Sequence, residues 1–380
     1  MNIQSKLPNV GTTIFTVMSA LATEHKAINL SQGLPNYSSS KRLLDLVNDY
    51  MQKGINQYAP MAGLPLLRER LSEKVERLYN ISIDPGSEIT ITAGATQAIF
   101  TAIAAFVQPG DEVILIDPAY DSYAPSVEVC GAKAISYELS APDYSIDWTE
   151  LGQLVSDKTR MIIVNTPHNP SGSILRKADM EALQKLTEGT DILVLSDEVY
   201  EHLIYDGEPH QSILRFPGLK DRSLATYSFG KTFHNTGWKL GYCIAAPQLM
   251  KEFRKVHQFN VFCVNTPMQY ALADFLADPE EYLSLGDFYQ KKRDFFLDTL
   301  SGSRLKPLSC KGTYFHLFDY SEISDLPDTE FAKKMTTDYG VAAIPVSVFY
   351  GSKKDDKIIR LCFAKSEDLL EQAGELIRKI

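Results

Sequence analysis

The chain has 380 residues, of which 44% are hydrophobic and 23% charged, a balance typical of a folded globular protein and not of a disordered or fibrous one. Its length allows two domains, or one large domain with a smaller lobe. The formal net charge of -10 gives no electrostatic reason to expect nucleic acid or an anionic membrane surface as a partner.

The N-terminal segment and the cysteines bear on the cellular compartment of the protein. The first residues lack the basic region and long apolar run of a signal peptide, and no apolar stretch is long enough to span a bilayer. The five cysteines are scattered and contain no CxxC pair, which favours reduced thiols. We therefore expect a cytoplasmic protein.

The main part of the chain alternates between β-rich runs and helical or loop segments. Runs rich in Val and Ile without strict polar alternation suit strands that are buried on both faces. Strand and helix in alternation predict an α/β fold, in which helices sandwich a mostly parallel sheet. The predicted strands are Glu88–Thr92, Val113–Asp117, Met161–Asn165, Ile192–Ser196, Leu224–Ser228 and Leu240–Ala245.

The two ends of the chain differ from this pattern. Residues up to about Asp45 are predicted to be irregular and to pack on a smaller domain or on another subunit. Residues Met268 to Phe296 predict a long helix interrupted at Asp278-Pro279, followed by β-like runs at Gly312–Phe318 and Asp356–Ala364 and a closing helix from Ser366. We predict an N-terminal arm with part of the small domain over 1–45, a large domain over 46–275, and a small α+β domain over 276–380.

Two turns that follow predicted strands have features of ligand sites. After Thr92, small residues turn the chain into a helix near Thr96, which would present free N–H groups to an anion. The segment matches neither GxGxxG nor GxxxxGK[ST], so a dinucleotide site and a P-loop are both poorly supported. Asn169 lies in NTPHNPSG, where it could donate to a ligand oxygen, although two prolines and a glycine also suit a plain rigid turn.

Two charged residues also close predicted strands. A carboxylate such as Asp197 is costly at the end of a buried strand unless it is paired; it could keep a ring nitrogen protonated, or it could cap a helix. Tyr200, three residues later, would lie on the same side if a helical turn begins there. Lys231 lies among small and aromatic residues in SFGKTFHNTGWKLG, and a lysine in an apolar pocket tends to become a nucleophile or base. Lys239 supplies a second cation suited to a phosphate.

Together these features match the groups that bind pyridoxal 5'-phosphate: an anion-binding turn, an asparagine loop, a buried aspartate and a lysine in an apolar setting. That cofactor requires a phosphate cradle, donors to its phenolate oxygen, a partner for its pyridinium and a lysine that forms a Schiff base. Metal catalysis is not expected, because the seven histidines are dispersed and form no HExxH or Cys/His cluster.

At these residues the sequence resembles the class I aminotransferases of PLP fold type I, and within them the methionine, kynurenine and glutamine aminotransferases. The resemblance extends from KLPNVGTTIF and INLSQGLPNY to IIRLCFAK. It implies that Lys231 carries the cofactor and moves the substrate proton, and that Asp197 pairs with the pyridine nitrogen. Asn169 and Tyr200 would hold the ring oxygen, and Tyr120 would stack on the ring.

The resemblance also assigns the phosphate and the substrate. The residues implied to bind the phosphate are Ala95, Thr96, Gln97, Ser228 and Lys239, with Tyr58 reaching it from the neighbouring subunit of a homodimer. Arg360 would bind the substrate α-carboxylate, helped by Asn169 and the Gly33 backbone. The chain has Lys239 where the wider class often has arginine, and NPSG where NPTG is commoner.

The implied activity is a ping-pong transfer of the amino group from methionine, or from another large uncharged or aromatic amino acid, to a 2-oxo acid. Phe15, Tyr37 and aromatic residues around Phe233 and Tyr350 could form an apolar side-chain pocket. The nearest alternative is a β-lyase acting on cysteine conjugates or cystathionine, which would share the cofactor site. A non-catalytic PLP-sensing module and an NAD-dependent dehydrogenase are less well supported, since no DNA-binding segment and no GxGxxG is found.

Overall fold

The computed structural model describes residues 1–380 as thirteen strands, fifteen α-helices and three short 3-10 helices. The strands are β1 (Ile28–Asn29), β2 (Ile89–Thr92), β3 (Glu112–Asp117), β4 (Lys133–Glu138), β5 (Thr159–Asn165), β6 (Leu193–Asp197), β7 (Ser223–Ser228), β8 (Gly241–Ala245), β9 (Lys306–Pro307), β10 (Phe315–Asp319), β11 (Val341–Ala342), β12 (Ile344–Pro345) and β13 (Ile358–Cys362). The helices are α1 (Ile14–Glu24), α2 (Lys41–Gln52), α3 (Pro65–Tyr79), α4 (Gly94–Phe106), α5 (Tyr123–Val129), α6 (Trp148–Gly152), α7 (Lys177–Thr187), α8 (Pro217–Lys220), α9 (Phe229–Thr232), α10 (Pro247–Asn260), α11 (Thr266–Phe275), α12 (Glu280–Leu283), α13 (Leu285–Thr299), α14 (Asp328–Tyr339) and α15 (Glu367–Ile377).

Seven strands form the central sheet, in the order β2-β8-β7-β6-β5-β3-β4. Only β8 runs antiparallel to its neighbours, so the predicted mostly parallel α/β sheet is confirmed. The sheet is buried on both faces: along β5, Met161 and Ile163 belong to one apolar cluster, while Ile162 and Val164 belong to the other. This double burial explains the continuous apolar runs in the sequence.

The topology gathers the ends of several strands at one edge of the sheet. The parallel pairing of β5 with β6 sets Asn165 opposite Asp197, and the pairing of β6 with β7 sets Asp197 opposite Thr226, two residues before Ser228. In parallel α/β sheets, ligands bind at this carboxyl edge. The candidate residues therefore converge on one side of the sheet.

A second, smaller sheet in the order β12-β13-β10-β9 is antiparallel, and it brings Arg360 on β13 beside Leu317 on β10. The N-terminal segment joins this part of the molecule, because β1 pairs with β11. Met18 of α1 packs there with Ile344 and Phe349. None of the helices is both long and apolar enough to cross a membrane.

The structure corrects three expectations about the elements. Residues up to about Asp45 are not irregular, since they contain α1, whose N-terminus is capped by the Thr13 hydroxyl, and the start of α2. Helix α4 begins at Gly94 and not near Thr96. Strand β4 was not predicted; it lies at the edge of the sheet, and only Tyr137 of its six residues is fully buried.

Candidate active site

A cavity opens at the carboxyl edge of the central sheet. It is lined by Gly94, Ala95, Thr96, Ile99, Tyr120, Tyr123, Asn165, Asn169, Asp197, Val199, Tyr200, Ser228, Gly230, Lys231, Thr236, Lys239 and Leu240. An adjoining cavity shares Tyr120, Asn169, Tyr200 and Lys231 and extends to Arg360. The structure thus brings most of the predicted site residues together.

One end of the first cavity is suited to an anion. The first turn of the 13-residue helix α4, with Gly94, Ala95 and Thr96, faces it, and the N–H groups of a first helical turn have no partner within the helix. Lys239 lines the same end, and a Cβ atom on Gly94 would lie 3.3 Å from its Nζ. The Ser228 hydroxyl caps α9 by accepting from the Lys231 N–H at 3.3 Å.

Asp197 ends β6 inside the cavity and is only 4% exposed. Its carboxylate accepts from the Tyr123 hydroxyl at 2.6 Å and from the Val199 N–H at 3.3 Å. Both partners are neutral, and burial raises the pKa of Asp197 to about 6. A carboxylate held in this way would gain stability from a cationic ligand.

Lys231 follows β7 in the short helix α9 and faces Asp197 and Tyr200 across the cavity. Burial lowers the pKa of Lys231 from 10.5 to about 8. Its Nζ lies 5.8 Å from the centre of the Tyr200 ring and donates to the Tyr314 hydroxyl at 3.0 Å. A lysine that is partly neutral near physiological pH can act as a nucleophile or as a base.

Arg360 is 1% exposed, and its guanidinium lies 3.8 Å from the centre of the Phe315 ring. It donates to Asn169 Oδ1 at 2.7 Å and to the Ser31 carbonyl at 3.1 Å, while its Nε–H has no partner. Because a guanidinium can only donate, Asn169 must present its oxygen to Arg360. Its amide NH₂ is therefore left to donate to a ligand.

Two of the predicted site residues, Tyr58 and Gln97, lie outside both cavities. Tyr58 is 82% exposed and stacks edge-on against Phe262 at 5.3 Å, so it does not reach the site of its own chain. The Gln97 side chain turns away from the cavity: its oxygen accepts from the Ala93 N–H, and its NH₂ donates to Thr101 at 2.6 Å.

Only part of the predicted aromatic set lines the cavity beside Arg360. Phe15 and Phe315 line the cavity beside Arg360, with Gly33 and Leu34. Tyr37 and Phe233 instead line a different cavity, because their loops face α13.

Sequence reasoning missed Tyr123 and Tyr314. Tyr123 stands three residues after Tyr120 in DPAYDSY, a spacing that could have indicated a shared site. Tyr314 directly precedes β10, 83 residues from Lys231, and nothing in the local pattern links the two. A topology is needed to bring them together.

The donor set fits pyridoxal 5'-phosphate. A helix N-terminus with a nearby lysine suits the phosphate, and Asn169 and Tyr200 can serve a ring oxygen. A buried carboxylate without a cationic partner suits the pyridinium, and an amine of lowered pKa suits the aldehyde. Each group lines the same cavity.

Comparison with known proteins decides the family. The family model "Aminotransferase class I and II" matches residues 25–377. The chain belongs to the class I and II aminotransferases. It is 51% identical to the methionine aminotransferase of Escherichia coli, over 99% of this chain and 98% of that protein. It is 36% identical to human kynurenine–oxoglutarate transaminase 3, over 98% of this chain and 89% of that protein.

Solved structures of aminotransferases agree with this assignment. A crystal structure from Escherichia coli, described as that of a protein with a methionine aminotransferase function, superposes with a TM-score of 0.98 at 51% identity and full coverage of both chains. The N-succinyldiaminopimelate aminotransferase of Mycobacterium tuberculosis gives a TM-score of 0.95 at 32% identity, again with full coverage. The predicted fold and enzyme class are thereby confirmed.

Proposed function

We propose that this aminotransferase uses pyridoxal 5'-phosphate to move the amino group of methionine, or of another large uncharged or aromatic amino acid, to a 2-oxo acid in a ping-pong cycle. The observation that carries the proposal is the convergence of Lys231, Asp197 and Arg360 on two adjoining cavities. The 51% identity to a methionine aminotransferase supports the choice of amino donor.

We infer the residues that would hold the cofactor from the family resemblance and from their positions at the cavity. Ala95, Thr96, Ser228 and Lys239 would bind its phosphate, with Tyr58 of a second subunit, and Tyr120 would stack on its ring. Gln97 would act through the turn and not by direct contact, since its side chain accepts from the Ala93 N–H. When bound, the cofactor supplies an electron-withdrawing ring that stabilises negative charge at the substrate Cα.

Lys231 would take the proton from the substrate Cα and return it during the cycle. Its pKa of about 8 leaves an appreciable neutral fraction near pH 7 to 8, as a general base requires. Asp197 would hold a proton on the ring nitrogen by staying ionised, because a cation beside a buried carboxylate lowers the pKa of that carboxylate. Tyr200 and Asn169 would orient the ring through its oxygen.

Arg360 would bind the substrate α-carboxylate, with Asn169 and the Gly33 backbone beside it. The adjoining cavity supplies Phe15, Leu34 and Phe315 as apolar surface, and its lining contains no second arginine. A distal carboxylate would therefore lack a guanidinium partner, which favours an uncharged side chain. Aromatic rings also make favourable contacts with a thioether sulfur.

We also infer the assembly, the location and the domain division. The exposed Tyr58 and Phe262 support a homodimer in which Tyr58 completes the partner's site. The five unpaired cysteines support a reducing compartment, the cytoplasm. The pairing of β1 with β11 supports the grouping of residues within 1–45 with the small domain, 276–380, beside a large cofactor-binding domain, 46–275.

The test is product analysis with methionine and a 2-oxo acid as the only substrates. The proposal predicts one product amino acid for each oxo acid formed from methionine. The alternative β-lyase predicts pyruvate and ammonia from a cysteine conjugate without any added oxo acid. Aspartate should be a poorer donor than methionine, and a preference for aspartate would contradict the proposed specificity.

A further inference from the structure

Tyr314 forms a link between the active-site lysine and the loop beside the substrate. Its hydroxyl lies 3.0 Å from Lys231 Nζ and 2.8 Å from the Gly33 carbonyl oxygen. The side chain is fully buried and directly precedes β10. Its ring packs edge-on against Tyr200 at 5.2 Å and against Phe315 at 4.9 Å. The hydroxyl is therefore fixed in position by packing on several sides.

The direction of the two hydrogen bonds follows from the chemistry of the partners. A carbonyl oxygen can only accept, so the single hydrogen of the Tyr314 hydroxyl goes to Gly33. Burial keeps the pKa of Tyr314 well above 10, so the phenol retains that hydrogen. Toward Lys231 the hydroxyl can then only accept. The lysine must donate an N–H, and the lone pair of a neutral amine is not used in this contact.

We propose that Tyr314 is a positioning residue. Its hydroxyl accepts a hydrogen bond from the Lys231 amine whenever that amine is not bonded to the cofactor. One N–H of the amine is held by Tyr314, while its lone pair stays free to take the substrate proton. Since the same hydroxyl anchors the Gly33 carbonyl, it also ties the lysine to the loop proposed to lie beside the substrate carboxylate. This inference rests on the proposed function of Lys231.

The hydroxyl also affects the charge state of the lysine. An acceptor at 3.0 Å stabilises the ammonium form, so its loss should lower the pKa of Lys231 by about one unit. The other charged or titratable groups that face the amine are Cys362, Arg360, Lys239, Asp197 and Tyr200. A Tyr314→Phe substitution leaves all of them in place, and it keeps the ring contacts.

The experiment measures the titration of the Lys231 amine directly. The full-length protein is loaded with pyridoxamine phosphate, which has no aldehyde and leaves the lysine free. Separate samples are treated briefly with cyanate at a series of pH values from about 6 to about 10, a range that brackets the expected pKa of the amine. Carbamylation of Lys231 in each sample is then measured by peptide mass spectrometry. The matched control is Tyr289→Phe, because Tyr289 is equally buried and 5.9 Å from the Tyr314 ring, but its hydroxyl bonds to His234.

We expect the labelling midpoint to fall by about one pH unit in Tyr314→Phe and to stay unchanged in Tyr289→Phe. The acidic limb of the single-turnover rate with methionine should move in the same direction. An unchanged midpoint in folded Tyr314→Phe, or equal shifts in both variants, would overturn the proposal. Tyr314→Phe keeps the buried ring and its packing, so this variant should fold and should keep the circular dichroism spectrum of the unsubstituted protein.

The labelling separates this inference from the proposed function. If methionine produces no turnover in the unsubstituted protein while the midpoint still shifts in Tyr314→Phe, the function is wrong and the contact is real. If turnover is normal and the midpoint does not shift, the proposed function stands and Tyr314 has no positioning role.

Discussion

Replacement of Arg360 by lysine tests the proposed carboxylate site while keeping the positive charge. In the structure, Arg360 uses one hydrogen for Asn169 and one for the Ser31 carbonyl. That leaves its Nε–H and one hydrogen on each terminal nitrogen for a substrate carboxylate. A lysine has three donors in all, so two bonds to the same neighbours would leave a single one for the substrate.

The expected loss is thus at least one charge-assisted hydrogen bond, worth about 1.5–3 kcal/mol, or roughly a 10- to 150-fold fall in kcat/KM for methionine. Because the carboxylate is bound both before and during the reaction, most of the change should appear in KM and little in kcat. The assay is the single-turnover half-reaction over a range of methionine concentrations.

A matched substrate sharpens this test. The amine that corresponds to decarboxylated methionine lacks the group that Arg360 is proposed to bind. It should react equally slowly with the unsubstituted protein and with Arg360→Lys. An unchanged KM for methionine, or an equal loss with the amine, would refute the role of Arg360 as the carboxylate partner.

Three further predictions concern the lysine, the proposed subunit interface and one partly buried ion pair. Cofactor uptake by cofactor-free protein should accelerate as pH rises toward 8, because the pKa of Lys231 is lowered to about 8 and only the neutral amine attacks; a pH-independent rate would contradict this. Mixing Lys231→Ala and Tyr58→Ala, each inactive alone, should restore about a quarter of the activity, since half of randomly formed dimers carry one intact site of two; no recovery would argue against a shared site. Asp206→Asn should lower the free energy of unfolding by about 1–2 kcal/mol in urea titrations, because it weakens the partly buried pair with Arg293. Asp45→Asn, which removes an exposed pair, should have almost no effect.

The sequence was most informative where a local pattern has a local cause. The apolar runs ending at Asn165 and Asp197 predict strands because burial on both faces requires continuous apolar side chains, and the structure confirms them. Strand β4 was not predicted, because an edge strand needs few buried residues and so lacks a continuous apolar run. Helix α1 was not predicted, because only Met18 and Ala22 of its residues are buried. Its apolar residues therefore do not mark out one buried helical face.

The candidate site was predictable to the extent that its residues close consecutive strands. Asp197 and Lys231 follow neighbouring parallel strands and must meet at one edge. The contact of Lys231 with Tyr314 joins residues that are 83 positions apart in the chain. Gln97 lies in the first turn of α4, but its side chain faces Thr101 and not the cavity. Neither fact is encoded in spacing along the chain.

The most direct test of the proposed role of Lys231 is to reduce the protein with borohydride after incubation with pyridoxal 5'-phosphate, and to map the modified peptide by mass spectrometry. We expect a single pyridoxyl adduct on Lys231, absent after prior conversion with methionine and restored by a 2-oxo acid. An adduct on another lysine, such as Lys239, or no adduct at all would contradict it.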